Sequence, residues 1–390
     1  MAYTALARRY RSRSFDELVG QDPVARTLRK AIETNRVAHA YLFTGTRGVG
    51  KTSTARIFAK ALNAPGDEPA DVAEAIMQGR DTDVIEIDGA SNNKVEEARE
   101  LIANSVYRPL RGRYKVYIID EVHMLTTQAF NALLKTMEEP PEHVVFVLCT
   151  TEAHKVPATI QSRCQRFDFR ALPTAQIAAH LGEVARAEGA EADAELLHAA
   201  ARLGNGSMRD ALSLLDRLLA SGEKRLTVGL LESLLGLPDR QLIHDLVEGC
   251  ATGDPAVVLA RADELQRRGV SPDQLVETLA ERLRDLMVLG VCGPETELVD
   301  LPPEARRTAL EQARKFDTAG LVHMIALCDA SGRSLRNSSA PRAILDAVLV
   351  RLALTERFAD AAAVAAGAGV TVGRFGSGAA AAGGPEPKKH

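Results

Sequence analysis

Tryptophan is absent from this chain of 390 residues, and aromatic residues make up only 4% of it. So few rings argue against base stacking as a main mode of recognising nucleic acid. No apolar run approaches the ~18 residues of a membrane span, so neither a membrane helix nor a membrane partner is expected. The five cysteines, Cys149, Cys164, Cys250, Cys292 and Cys328, lie far apart with no C-x-x-C pair. With no charged-then-apolar leader at the start, a reducing, cytoplasmic setting fits them best. A strong basic field is missing too: the formal net charge is -4. Any contact with DNA must then come from a local patch or from partners.

What is present is length enough for two or three hydrophobic cores. Up to about residue 170, short β-branched runs alternate with helical stretches, the pattern of a parallel sheet with helices on its faces. The runs are Tyr41–Thr44, Val84–Asp88, Val116–Asp120, Val144–Thr150 and Phe167–Phe169. Asp22-Pro23 reads as an N-cap followed by Pro at the first helical position, opening a helix that ends near Asn35. Thr127 to Glu139 reads as an amphipathic helix stopped by Pro140-Pro141. After about Leu172 strand signals cease and helices follow one another. Gly236-Leu237-Pro238 suits a hinge, and beyond Asp360 the composition turns Ala- and Gly-rich, as in a disordered tail. The expected organisation is an α/β domain over 1–171, a small helical domain over 172–235, an all-α domain over 239–357 and a tail over 360–390. No internal repeat is evident.

One stretch carries chemistry outright. Gly45-Thr46-Arg47-Gly48-Val49-Gly50-Lys51-Thr52 matches G-x-x-x-x-G-K-[ST], follows an apolar strand and opens a helix. Glycines let such a loop wrap a phosphate with backbone N–H groups, and the helix N-terminus adds partial positive charge. Lys51 should reach the β- and γ-phosphates and the Thr52 hydroxyl should bind Mg²⁺, which predicts a P-loop ATPase using ATP and magnesium. Such a loop needs an acid at a neighbouring strand end. Val116–Asp120 followed by Glu121 supplies it, with Asp120 as the metal's partner and Glu121 polarising the attacking water. Read alone, that acid pair is equally a helix cap. Thr150-Thr151 ends a third strand, where a hydroxyl would approach the γ-phosphate or merely close an ST turn.

At Ser162-Arg163-Cys164 the sequence resembles the bacterial clamp-loader ATPases of DNA polymerase III, the γ/τ family. The likeness also runs through Leu6-Ala7-Arg8-Arg9-Tyr10-Arg11, Val19-Gly20-Gln21, the P-loop, Asp120-Glu121-Val122-His123-Met124-Leu125, Glu138-Glu139-Pro140-Pro141 and Gly206-Ser207-Met208-Arg209-Asp210. It is dense to about residue 217 and thin afterwards. The resemblance implies an AAA+ architecture: a P-loop core with a parallel sheet, a small helical lid and an all-α collar that joins subunits. It implies Arg163 as an arginine finger aimed at the neighbour's ATP, Arg209 as the lid's sensor and Thr151 as the first sensor. Ala7, Arg11, Val19 and Gly20 would border the adenine, with Gly45, Thr46, Gly48, Val49, Gly50, Lys51, Thr52 and Ser53 around the phosphates. It implies work with sister γ/τ subunits, δ and δ′, the sliding clamp and primed DNA.

Two features depart from the family. The four-cysteine zinc module that usually follows the P-loop helix is lacking, since Asn63 to Asp83 contains no cysteine. Zinc is therefore not expected, and Pro65–Gly79 reads as a turn followed by a short helix. Asn92-Asn93 stand where relatives often place a basic residue, although Lys94 and Arg99, on a helix expected to begin near Asn93, and Lys135 on another remain as cations that would track a DNA backbone or form intrahelical ion pairs. His123 reads as a packing residue at a strand end. A nucleotide-binding but inert ring member would be expected to lose Lys51, Thr52 or Glu121, and all three are present. Another AAA+ DNA-processing ATPase, a helicase or initiator, would need DNA-reading elements with a basic face, which residues 239–357 do not show.

Overall fold

The computed structural model describes residues 3–64, 70–90, 107–336 and 338–355, and the chain divides into two compact units between Leu235 and Gly236. The first is built on a parallel five-stranded sheet: β1 (Ala40–Thr44), β2 (Val84–Asp88), β3 (Lys115–Asp120), β4 (Val144–Thr150) and β5 (Gln165–Asp168), in the order β2-β3-β4-β1-β5. Every residue of β1 and β4 is buried. Strands covered on both faces need no polar side, which is why they read as unbroken apolar runs. Tyr41, Phe43, Val145 and Val147 face one core with Phe58 of the Lys51–Asn63 helix, and Leu42, Phe146 and Leu148 face the other with Leu133 of the Thr127–Glu138 helix. Tyr41 meets Phe58 edge-on at 4.9 Å, and Tyr117 stacks on Phe146 at 5.4 Å. On the same helix, Arg56 grips Glu86 of β2 with two hydrogen bonds of 2.6 and 2.8 Å, which fixes the helix against that strand.

The C-terminal ends of β1 to β4 fall where the sequence puts them, with β1 and β3 each starting one residue earlier than expected, while the last strand runs Gln165–Asp168 rather than Phe167–Phe169. The Asp22–Glu33 helix starts differently from expectation. Gln21, not Asp22, is its N-cap, and the Gln21 side chain makes no capping bond but donates to the Arg170 carbonyl at 2.8 Å. Asp22 and Pro23 occupy the first turn, where the acid favours the helix dipole and proline removes a donor that would have no partner. Beyond residue 172 the unit is helical except for Glu191–Ala192 paired in parallel with Arg225–Leu226, a ladder too short for any periodicity to announce it.

The second unit is wholly helical among the described residues. Its helices start where capping chemistry dictates: Asp239 accepts from Gln241 N–H at 2.9 Å, Asp254 from Ala256 N–H at 3.0 Å ahead of Pro255, and Ser271 from Gln274 N–H at 3.2 Å ahead of Pro272. Leu246, Leu279, Leu283, Leu286 and Leu345 lie in its core. Gln312, buried there, accepts from Arg282 at 2.9 and 3.2 Å and donates to the His244 carbonyl at 3.0 Å. No described helix is long and apolar enough to cross a membrane.

Candidate active site

Parallel strands put their C-terminal ends at one edge of the sheet, and the order here sets β4 between β1 and β3. The loop after β1, the acid pair after β3 and the threonines ending β4 therefore meet at that edge. In the loop, Gly45, Gly48 and Gly50 all adopt positive φ, at 144°, 77° and 100°. Gly48 is also pressed by the 174–235 region: a Cβ there would lie 1.9 Å from Ser207 Oγ, and the Gly48 carbonyl accepts from Met208 N–H at 3.1 Å. The loop thus touches the first turn of the Met208–Leu219 helix, which Ser207 caps through Asp210 N–H at 3.2 Å.

Lys51, the first residue of its helix, is 6% exposed, and its Nζ donates to the carbonyls of Gly45 and Thr46 at 2.7 and 2.8 Å. Burial pulls this ammonium below its ordinary pKa, against the opposing pull of Cys149, Glu121 and Asp120. Thr52 Oγ1 donates to Asp120 Oδ2 at 2.7 Å, and Asp120 Oδ1 accepts from Glu121 N–H at 3.0 Å. Burial raises the Asp120 pKa, and the charge of Glu121 adds to that, while the Thr52 hydroxyl works the other way. A hydroxyl backed by a carboxylate is a set of hard oxygen donors that suits Mg²⁺.

Glu121 holds a left-handed backbone, φ 46° and ψ 46°, which is uncommon for a residue with a side chain and marks a conformation imposed by its surroundings. Gly89 makes room for it: a Cβ there would come within 2.7 Å of the Glu121 carbonyl, and Gly89 N–H donates to the Asp120 carbonyl at 2.8 Å. Thr151 Oγ1 donates to Glu121 Oε2 at 3.1 Å.

A cleft opens over this edge. Ala7, Arg11, Val19, Gly48, Val49, Gly50, Lys51, Thr52, Ser53, Asp120, Glu121 and Arg209 line it, as the sequence reading grouped them. Arg11 is lowered below its ordinary pKa by burial and then by the like charges of Arg56 and Arg209, with Glu86 and Asp120 opposing. Tyr10, Leu18, Leu172, His180, Met208 and Leu212 also line the cleft and were missed. Tyr10 and Met208 sit inside stretches that carry the family likeness without a site role of their own, and Leu18 adjoins Val19; Leu172 and His180 lie outside those stretches and, like Leu212, reach the cleft only through the fold.

Other expected residues fall elsewhere. Gly20 packs against Leu172 and Gln176 instead of lining the cleft, and Gly45 and Thr46 hold Lys51 through their carbonyls. Arg163 is outside its own chain's cleft, donating to the Thr159 carbonyl at 2.8 Å and pairing with Glu138 at 3.1 Å. Lys135 is exposed, while Lys94, Arg99 and the helix expected near Asn93 lie outside the described residues.

Three family models match the chain: "DNA polymerase III, delta subunit" over residues 20–173, "DNA polymerase III clamp loader subunit, ATPase lid domain" over 176–224, and "DNA polymerase III subunits gamma and tau domain III" over 226–365. DNA polymerase III subunit gamma/tau of Mycobacterium tuberculosis is 40% identical over 361 residues, covering 90% of this chain and 62% of the relative. Subunit tau of Bacillus subtilis is 39% identical over 361 residues, covering 91% and 64%. The chain thus spans less than two thirds of the length of these relatives. Subunit gamma of Buchnera aphidicola is 36% identical over 295 residues, covering 74% of this chain and 81% of that protein. Among solved structures, Thermotoga maritima RuvB, a Holliday junction branch migration motor, aligns with 19% identity and a TM-score of 0.46, covering 61% of this chain and 78% of that one. With a parallel P-loop sheet, the lid match and relatives at this identity, the chain belongs to the gamma/tau clamp-loader family of DNA polymerase III.

Proposed function

We propose that this chain is an ATP-hydrolysing motor subunit of the clamp loader, opening a sliding clamp and placing it on primed DNA beside sister γ/τ, δ and δ′ subunits in the cytoplasm. The observation that carries this reading is the unbroken line from Thr52 through Asp120 and Glu121 to Thr151, set beside a buried Lys51. A bound triphosphate would draw the Lys51 ammonium from the Gly45 and Thr46 carbonyls, a neutral partnership exchanged for a charged one. Its negative charge would also relieve the crowding of Arg11, Arg56 and Arg209. Thr52 and Asp120 would hold Mg²⁺, which would supply positive charge to offset that of the triphosphate. Glu121 then accepts the proton of the attacking water, with Thr151 restraining its carboxylate.

Arg209, which lines the cleft at the start of a helix that touches Gly48, would report the γ-phosphate to the 172–235 lid. Arg163 would act across the subunit boundary, leaving Glu138 for the neighbour's nucleotide. On this reading residues 1–171 form the ATPase domain and 239–357 the collar, and DNA is followed through exposed cations such as Lys135. The deciding experiment is Glu121→Gln in the full chain: ATP affinity stays and hydrolysis in the reconstituted loader falls by roughly 10² or more. Ordinary turnover would remove Glu121 from its assigned role.

A further inference from the structure

Directly after the acid pair the chain makes a single tight turn, Val122–Met124, that tucks the His123 ring under the strand ends, where its side chain is 7% exposed. Both ring nitrogens are engaged. Nδ1 lies 3.0 Å from Thr150 Oγ1 and 3.4 Å from Glu121 Oε2, while Nε2 lies 3.1 Å from Glu152 Oε2. Thr150 is fully buried and its Oγ1 accepts from Glu152 N–H at 3.0 Å, and Lys155 Nζ anchors Glu152 from outside at 2.8 Å. A histidine that merely filled space at a strand end would need no more than one polar partner. This one stands between the carboxylate assigned to activate water and a second carboxylate clamped behind it.

We propose that His123 is a positioning residue for Glu121. The ring, backed by Glu152 and seated on Thr150, fixes where the Glu121 carboxylate rests at the sheet edge, and His123 itself does not line the cleft. The glutamate side chain has three torsions to restrain, and Thr151 supplies a single hydrogen bond. A catalytic carboxylate must be held to within about 0.5 Å by neighbours that are themselves locked, which is the service a buried ring with two anchored nitrogens provides. The inference rests on the reading of Glu121 as the group that activates water.

The test uses the full chain in a reconstituted loader, measuring kcat, KM and ATP affinity separately. His123→Ala is expected to lower kcat roughly 10-fold, the scale for loss of a supporting partner, with ATP affinity and KM unchanged. His123→Asn, whose amide occupies the Nδ1 position, restores most of the rate. Glu152→Ala, made at the partly exposed end of the network, lowers kcat less but in the same direction, and adding His123→Ala to Glu121→Gln costs nothing further. Wild-type kcat in His123→Ala or Glu152→Ala, with Glu121→Gln inactive, overturns the inference and leaves the Glu121 role standing. Loss of rate matched by loss of ATP affinity, or unrelieved by asparagine, assigns His123 to packing alone. Normal hydrolysis by Glu121→Gln removes both readings together.

Discussion

Asp83 and Asp120 stand at opposite ends of neighbouring strands, and the protein treats them in opposite ways. Asp83, 1% exposed just ahead of β2, accepts backbone N–H bonds from Leu110, Arg111 and Gly112 at 2.8, 2.7 and 2.9 Å, with Lys115 Nζ at 3.4 Å. Burial alone would raise its pKa, but these donors and the lysine override it and hold the carboxyl below the usual range. Asp120, closing β3 at the other end, receives one hydroxyl and the N–H of its own neighbour, has Glu121 beside it, and is raised. Asp83 is fully satisfied and ties the 107–114 segment to the sheet. Asp120 has fewer donors and carries charge at a cost, which agrees with the metal-holding role proposed for it.

The sharpest way to break this contrast is to neutralise each acid without changing its shape. Asp120→Asn should cost roughly 10² or more in hydrolysis and weaken magnesium-dependent ATP affinity, while the unliganded fold is no less stable than wild type. Equilibrium unfolding beside ATP titration, with and without magnesium, separates the two effects; an unfolded Asp120→Asn chain would show that the acid is structural after all. Asp83→Asn should do the reverse, costing about 1–3 kcal/mol of stability because three backbone donors lose their charged acceptor, with unchanged turnover per folded molecule. A fall in kcat at full folding would erase the division between the two ends.

The second unit extends the comparison to a place with no cleft chemistry. Gln312→Leu removes the acceptor of Arg282 and the donor to His244, and should lower stability by about 1–2 kcal/mol in denaturant melts without altering the affinity of the chain for ATP. Altered nucleotide affinity would mean that the helices of the second unit reach the site energetically.

How far the sequence spoke follows the same division. Val84–Asp88 and Val144–Thr150 were legible to the residue because runs of apolar residues between polar breaks leave a parallel strand little choice of ends. Lys51, Thr52, Asp120 and Glu121 were legible because phosphate and metal chemistry demands those types at fixed offsets from glycine or a strand end. The sequence alone reads His123 as packing, and its contacts with Thr150 and Glu152 arise only through the β3-β4 pairing. Leu172, His180 and Leu212 reach the cleft through tertiary packing, and their types are those of any helix face. The Gln21 cap was hidden because a long-range bond to Arg170 outweighed the local Asp-Pro signal.

The smallest expected effect tests the contrast most directly, because it turns on sign rather than size. Asp83 has a depressed pKa in the fold, so its contribution is present above the ordinary carboxylate value near 3.9 and is lost as pH falls through the lower folded value. Asp120 is raised, so the fold carries no penalty from it below that ordinary value and loses stability as pH climbs toward the raised one. Denaturant melts of the unliganded chain across acid pH should therefore show the deficit of Asp83→Asn shrinking as the solution is acidified. The stability of Asp120→Asn relative to wild type should instead grow as pH rises from about 4 toward neutrality. Curves for the two variants that bend the same way would mean that both acids are satisfied alike, and the case for an external cation at Asp120 would lose its electrostatic support.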